Sequence, residues 1–245
     1  ISSLFAGSQN LKQAVGILFV TVLISNVLGL IRNIVIANRV GFTFGSLGPL
    51  DNYYAAFVLP DLFYNFIVVG ALATAVLPLL VKLDTQEDQP VFWQTFNVLV
   101  STGITVISIA MIFLFVAMPY LLPLIVPGFT EDELRETVNL ARVLLLSPMF
   151  FTISQLSSSA LQAKRHFATP ALAPIIYNIS IITAALLIPE FGMSVLVLGV
   201  IVGAAGHFLI QLPTLFRMGW RFNFSLGFAN QQVRHVFKVM IPRAL

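Results

Sequence analysis

Two arginines and an aspartate stand inside stretches that are otherwise almost wholly apolar. Arg32 is the penultimate residue of the run SNVLGLIRN at 25–33. On a helix Ser25, Gly29, Arg32 and Asn33 fall on one face. A charge near the centre of a bilayer costs roughly 2.5–3.5 kcal/mol on insertion scales. Arg32 therefore admits two readings: the cationic wall of an internal cavity, or an arginine that snorkels to headgroups or pairs with an acid on another span. Asp61 follows Pro60 and shares a face with Tyr54 and Asn65. It reads as a coupling-ion or proton site, as a counter-charge to Arg32, or as a cap where the proline frees carbonyls. Arg142 lies seven residues after Arg135 on one face, either to meet phosphate in a cavity or to snorkel outward.

The remaining polar residues inside apolar runs carry weaker signals. Asn178 stands alone in its run, and His207 precedes Gln211 by four. His207 reads as a packing histidine. Gly199 and Gly203 lead into it at the same spacing and read as a close helix–helix contact. Asn97, Ser101, Thr105 and Ser108 form a mild polar stripe that suits a cavity wall.

The elements that must carry these residues are membrane helices. The 245 residues are 58% hydrophobic and 9% charged, with a mean hydropathy of +0.94. Soluble domains carry roughly 25% charged residues. Such a chain needs lipid as its solvent. The apolar runs recur along the whole length, which a signal peptide does not explain. They are far longer than the roughly ten-residue strands of a membrane barrel, so helices are the spanning form.

Six spans are expected, at about 11–40, 51–81, 92–122, 133–161, 170–188 and 194–215, with a seventh beginning near Val236. Residues 1–215 then form a six-helix membrane lobe. Residues 216–235, mixing Arg, Trp and Phe with polar residues, form a cytoplasmic connector with an interfacial helix. Residues 236–245 start the seventh helix. Thr130 and Glu133 stand at the positions of a capping box opening the fourth span. With the N-terminus in the cytoplasm, Lys12, Lys82, Lys164, Arg165, Arg217, Arg221 and Arg234 all fall inside, against Arg39 and Arg135 outside; this asymmetry selects that orientation.

Several classes drop out. There is no cysteine, so disulfides and cysteine-ligated metals are excluded. No metal-ligand cluster, phosphate-binding glycine loop or catalytic constellation appears, so neither an enzyme nor an ATP-driven pump is supported. The net charge of +3 is spread over loops rather than gathered into a nucleic-acid patch. Ile1 in place of Met, and an apolar run starting at the other end, lead us to expect a piece of a longer protein. Bent helices around a cavity with midplane binding residues describe secondary transporters and flippases.

The motifs resemble those of the MurJ (MviN) lipid II flippase family. They are VLGLIR at 27–32, DNYYAAFVLP at 51–60, VVGALATAVLP at 68–78 and VPGF at 126–129. LAR at 140–142, SP at 147–148, AKRHFATPALAPIIYN at 163–178 and QLP at 211–213 follow in order. The resemblance implies an all-α, multi-pass transmembrane protein of the multidrug/oligosaccharidyl-lipid/polysaccharide exporter superfamily. This chain would be the first six-helix lobe of its V-shaped bundle, plus the start of a seventh helix. It implies lipid II, an undecaprenyl-diphosphate glycolipid, as substrate, moved from inner to outer leaflet of the bacterial inner membrane by alternating access. It implies no cofactor, coupling to membrane potential or an ion, and peptidoglycan-synthesis enzymes as partners.

A cavity set of Arg32, Asn33, Asn26, Asp61, Asn65, Arg142 and Asn178 is carried over. Arg32 matches the second basic position of the family's first-span pattern, and Arg142 its fourth-span position. Arginine's planar fork suits phosphate oxygens. The chain departs from the pattern at Asn26 (basic in the family), Asn33 (acidic), Tyr64 and Asn65 (basic), and Val69 (acidic). The cavity is thus less charged than is usual. An exporter of another polyprenyl-linked glycan, or a cation/drug antiporter of the same fold, is the alternative.

Overall fold

The computed structural model describes residues 11–40, 49–65, 73–86 and 88–226. Ten helices follow in order among them: α1 (Leu11–Val40), α2 (Pro49–Tyr64), α3 (Ala73–Thr85), α4 (Gln89–Ile125), α5 (Glu131–Leu144), α6 (Leu146–Ala163), α7 (Ala168–Leu186), α8 (Ile188–Phe191), α9 (Met193–Leu209) and α10 (Leu212–Arg217). Among the described residues, five stretches are long and apolar enough to cross a bilayer: Val15–Val40, Gln89–Ile125, Glu131–Ala163, Ala168–Leu186 and Met193–Arg217. The chain is a multi-pass α-helical membrane protein.

The expected second span, 51–81, is described as two helices, α2 and α3, with 66–72 between them outside the described residues. The connector beyond 226 and the expected seventh helix lie outside them too.

Prolines decide where the long helices bend. A proline at i removes the donor to the carbonyl at i−4. Pro148 therefore orphans the Leu144 carbonyl, and the fourth span breaks at Leu145 into α5 and α6. The Ser147 hydroxyl donates to that carbonyl at 2.8 Å, closing the gap from within. Pro213 orphans the Leu209 carbonyl, and the last span turns at Ile210 before α10 resumes. Thr130 caps α5 as expected: its amide donates to the Glu133 carboxylate at 2.7 Å, and the Glu133 amide returns to its hydroxyl at 3.4 Å.

The core runs along α4, with Phe92, Phe96, Leu99, Leu114, Met118 and Leu122 all buried. Helices α7 and α9 pack in close contact at Gly199. A Cβ added to Gly199 would stand 2.2 Å from that of Ala184, so only glycine permits the contact. The Ser180 hydroxyl donates to the Gly199 carbonyl at 2.8 Å across the same seam. The small residues are a packing seam, as their spacing predicts.

The start of the connector is not helical over 218–226. It runs along α4, and its backbone is held by that helix's polar stripe. Asn97 donates to the Arg221 carbonyl at 2.9 Å and accepts from the Trp220 indole at 2.8 Å. The Ser225 amide donates to Ser101 Oγ at 3.1 Å. Trp220 is buried against Phe96 and Phe216. Asn97 and Ser101 are thus a seat for the connector rather than a cavity wall. An interfacial helix is absent over these residues because their backbone groups bond to α4 instead of to one another.

Candidate functional site

Helices α1, α2 and α7 enclose a cavity of about 240 Å³. Arg32, Asn33 and Ile36 enter it from α1. Tyr53, Tyr54, Phe57 and Asp61 come from α2, and Tyr177 and Ile181 from α7.

Arg32 reaches this position because α1 docks on α7 through its small polar face. The Asn178 amide nitrogen donates to the Ser25 carbonyl at 3.2 Å and to its hydroxyl at 3.3 Å. The Asn178 carbonyl oxygen accepts from Arg32 Nη1 at 3.1 Å. A Cβ added to Gly29 would lie 3.9 Å from that oxygen, so Gly29 keeps the approach open. On the other edge Arg32 Nε and Nη2 both donate to Asn33 Oδ1 at 3.2 Å. A guanidinium has five N–H donors. Three are held by neutral amides, which fix its plane without cancelling its charge. One N–H on Nη1 and one on Nη2 remain, a pair suited to two oxygens of one phosphate.

Asp61 lies in the interior of α2, one residue after Pro60, so it does not cap a helix. It is exposed to the cavity that Arg32 also lines. No ion pair joins the two; an ion pair elsewhere holds Lys164 to Asp84 at 2.5 Å. The aromatic wall is packed edge-to-face, with Tyr53 5.4 Å from Tyr54 and 5.0 Å from Phe57 between ring centres.

Four of the seven carried-over residues meet here: Arg32, Asn33 and Asp61 line the cavity, and Asn178 holds Arg32. The structure places the others elsewhere. Asn26 is exposed on α1 and Asn65 is exposed just past α2, neither of them in the cavity wall. Arg142 turns to α4, where Nε donates to the Phe115 carbonyl at 3.1 Å and the guanidinium lies 4.7 Å from the Phe115 ring centre. Pro119 has removed that carbonyl's helical donor. Arg142 is thus the replacement donor for a proline-broken turn, and it stands outside the cavity.

Tyr53, Phe57 and Tyr177 were missed by reading polar side chains alone. A signal existed: Tyr53, Phe57 and Asp61 repeat at i+4 on one face of α2. His207 is a packing residue with polar support: Nδ1 lies 2.6 Å from Ser154 Oγ, which also accepts from Gln211 at 2.6 Å. The ring meets Phe151 edge-on at 5.4 Å.

The family model described as "Lipid II flippase MurJ" matches residues 40–245. The chain belongs to the MurJ lipid II flippase family. The family-model match begins at residue 40, the end of α1, but relatives align across α1 as well. A probable lipid II flippase MurJ from Buchnera aphidicola (Schizaphis graminum) is 26% identical over 240 residues, covering 96% of this chain and 46% of that protein. The lipid II flippase MurJ of Burkholderia cenocepacia is 29% identical over 202 residues, covering 79% of this chain and 38% of its own length. The chain spans about half the length of the curated relatives it matches. Among solved structures, an inward closed lipid II flippase MurJ superposes with a TM-score of 0.74 at 21% identity, over 93% of this chain and 46% of that one. A MATE transporter variant gives 0.72 at 15% identity, over 98% and 54%. These last two likenesses concern the fold.

Proposed function

We propose that this chain is the N-terminal lobe of a flippase that carries a polyprenyl-diphosphate-linked peptidoglycan precursor, lipid II, from the inner to the outer leaflet by alternating access. The carrying observation is Arg32: a permanent cation on a membrane-crossing helix, held by two neutral amides, with two donors open to a cavity. A diphosphate in a low-dielectric site needs such a charge. The isoprenoid tail stays against lipid, along the apolar outer faces of the helices. The protein sits in the bacterial cytoplasmic membrane with its N-terminus inside, as the lysine and arginine asymmetry favours.

The test is leaflet-resolved. Depleting the full-length protein in cells without another flippase leaves lipid II in the inner leaflet, and Arg32→Ala fails to restore export. Normal outer-leaflet lipid II under depletion overturns the reading.

Asp61 in the same cavity favours a second reading, a cation or drug antiporter of this fold. Such a protein loses transport with Asp61→Asn and tolerates Arg32→Ala, the reverse of the pattern expected for a diphosphate carrier.

A further inference from the structure

Residues 216–226, from the end of α10 into the connector, hold two arginines, no acid and four aromatic residues. Trp220 is buried against α4, whereas Phe222, Phe224 and Leu226 are 52%, 59% and 45% exposed. The backbone between them is pinned at Arg221 and Ser225 by Asn97 and Ser101. An apolar edge is thus held outward on a fixed strap. We propose that this strap is a lipid-recognition surface that seats an anionic phospholipid, its phosphate on Arg217 and Arg221 and its acyl chains against Phe222, Phe224 and Leu226. The inner leaflet is implied by the orientation proposed above; the surface itself depends neither on that orientation nor on the cargo.

Depth along α4 places the strap at the headgroups. A hydrocarbon core of about 30 Å takes about 20 residues of helix. Counted back from Ile125, the end of α4, the core stops at about residue 105. Ser101 then lies about 6 Å and Asn97 about 12 Å beyond it. The polar layer of each leaflet is about 5–8 Å deep. Ser225, with Phe224 and Leu226 on either side of it, therefore stands within that layer. Arg221, beside Asn97, stands at its watery edge, from which an arginine reaches back to phosphate. The same face of α4 runs on from Ser108 at i+4 through Ile112, Val116 and Tyr120, all more than half exposed. A lipid leaning along that open column brings its headgroup to the strap.

Charge selects the kind of lipid. Arg217 and Arg221 are both exposed, and among the described residues neither is in an ion pair. The cation nearest in sequence before them, Arg165, lies in the turn between α6 and α7, where Lys164 is already engaged by Asp84 and Gln89. Two unpaired guanidiniums beside exposed phenylalanines suit a headgroup whose net charge is negative, since a zwitterionic headgroup presents its own cation as well. Each basic residue at an anionic surface raises local occupancy about fivefold.

The test uses the full-length protein with the photocrosslinker p-benzoylphenylalanine in place of Phe224. It is reconstituted in vesicles of phosphatidylethanolamine with phosphatidylglycerol as the minority lipid, irradiated, and its adducts are weighed by mass spectrometry. The adducts expected are phospholipids, with phosphatidylglycerol over-represented about fivefold relative to the vesicle. Arg217→Gln combined with Arg221→Gln returns that share to the bulk ratio while the lipid adducts persist. Both side chains are exposed, so the double substitution leaves the packing of α4 and the strap intact. Adducts to the other half of the protein or to a second copy, or no adduct at all, overturn the proposal. So does a bulk phosphatidylglycerol share with both arginines present, or an enrichment that survives their removal. Transport is not read in this assay, so a failure of the flippase reading leaves its outcome standing.

Discussion

Arg142 shows how a residue with the right type and depth for ligand binding can be absorbed by the scaffold. Its guanidinium replaces the donor that Pro119 removes from α4. Arg142→Ala is expected to lower stability by roughly 1 kcal/mol through the orphaned Phe115 carbonyl. In a Pro119→Ala background the same change costs less, because the helix supplies its own donor. Unfolding measurements on the four members of this cycle check the coupling, and additive costs would refute it. Asn178 has the opposite character: it ties Arg32 to Ser25. Asn178→Leu is expected to cost about 1 kcal/mol and to lower transport by freeing the guanidinium plane. The arginines were visible in the sequence by depth alone. Their fates were not, because the deciding carbonyl of Phe115 lies 27 residues from Arg142 and the deciding amide 146 residues from Arg32.

At the level of elements, the sequence revealed most of what local chemistry controls. The capping box of α5, the small-residue seam of α7 and α9, and the long apolar helices follow from spacing. Helix breaks at Leu145 and Ile210 were written in Pro148 and Pro213, but the apolar pattern runs through both and conceals them. Gly199→Val is expected to force α7 and α9 apart and to lower the unfolding temperature, at a cost of about 1–3 kcal/mol typical of overpacking. The role of Asn97 and Ser101 was not legible, since a polar stripe looks the same whether it meets water or backbone. In the turn between α6 and α7, His166 has its proton affinity pushed below the ordinary 6.5 by partial burial. The unfolded chain then binds more protons below that value. This contribution is present above pH 6.5 and is lost as pH falls toward the lower folded value. His166→Gln should flatten the decline, as acid titration of the unfolding temperature will show.

Across the molecule, fold class was legible because the bilayer imposes long apolar helices on the chain. These 245 residues hold no cysteine, so cysteines introduced among them in a cysteine-free full-length background test the proposed orientation. Single cysteines at Asp132 and at Arg217 should label with an impermeant maleimide from outside and from inside the cell, respectively. Labelling of both from one side refutes the topology. The connector's seat on α4 also bears on biogenesis. The partner of Asn97 lies 124 residues later in the chain. At about 5–20 residues per second, α4 is inserted roughly 6–25 s before its stripe meets the segment that completes it. During that interval Asn97 and Ser101 must borrow partners from water at the membrane surface, from neighbouring helices or from the insertion machinery. A released chain cut just short of Trp220 would therefore leave a lobe whose helices are threaded but whose last seam is still open.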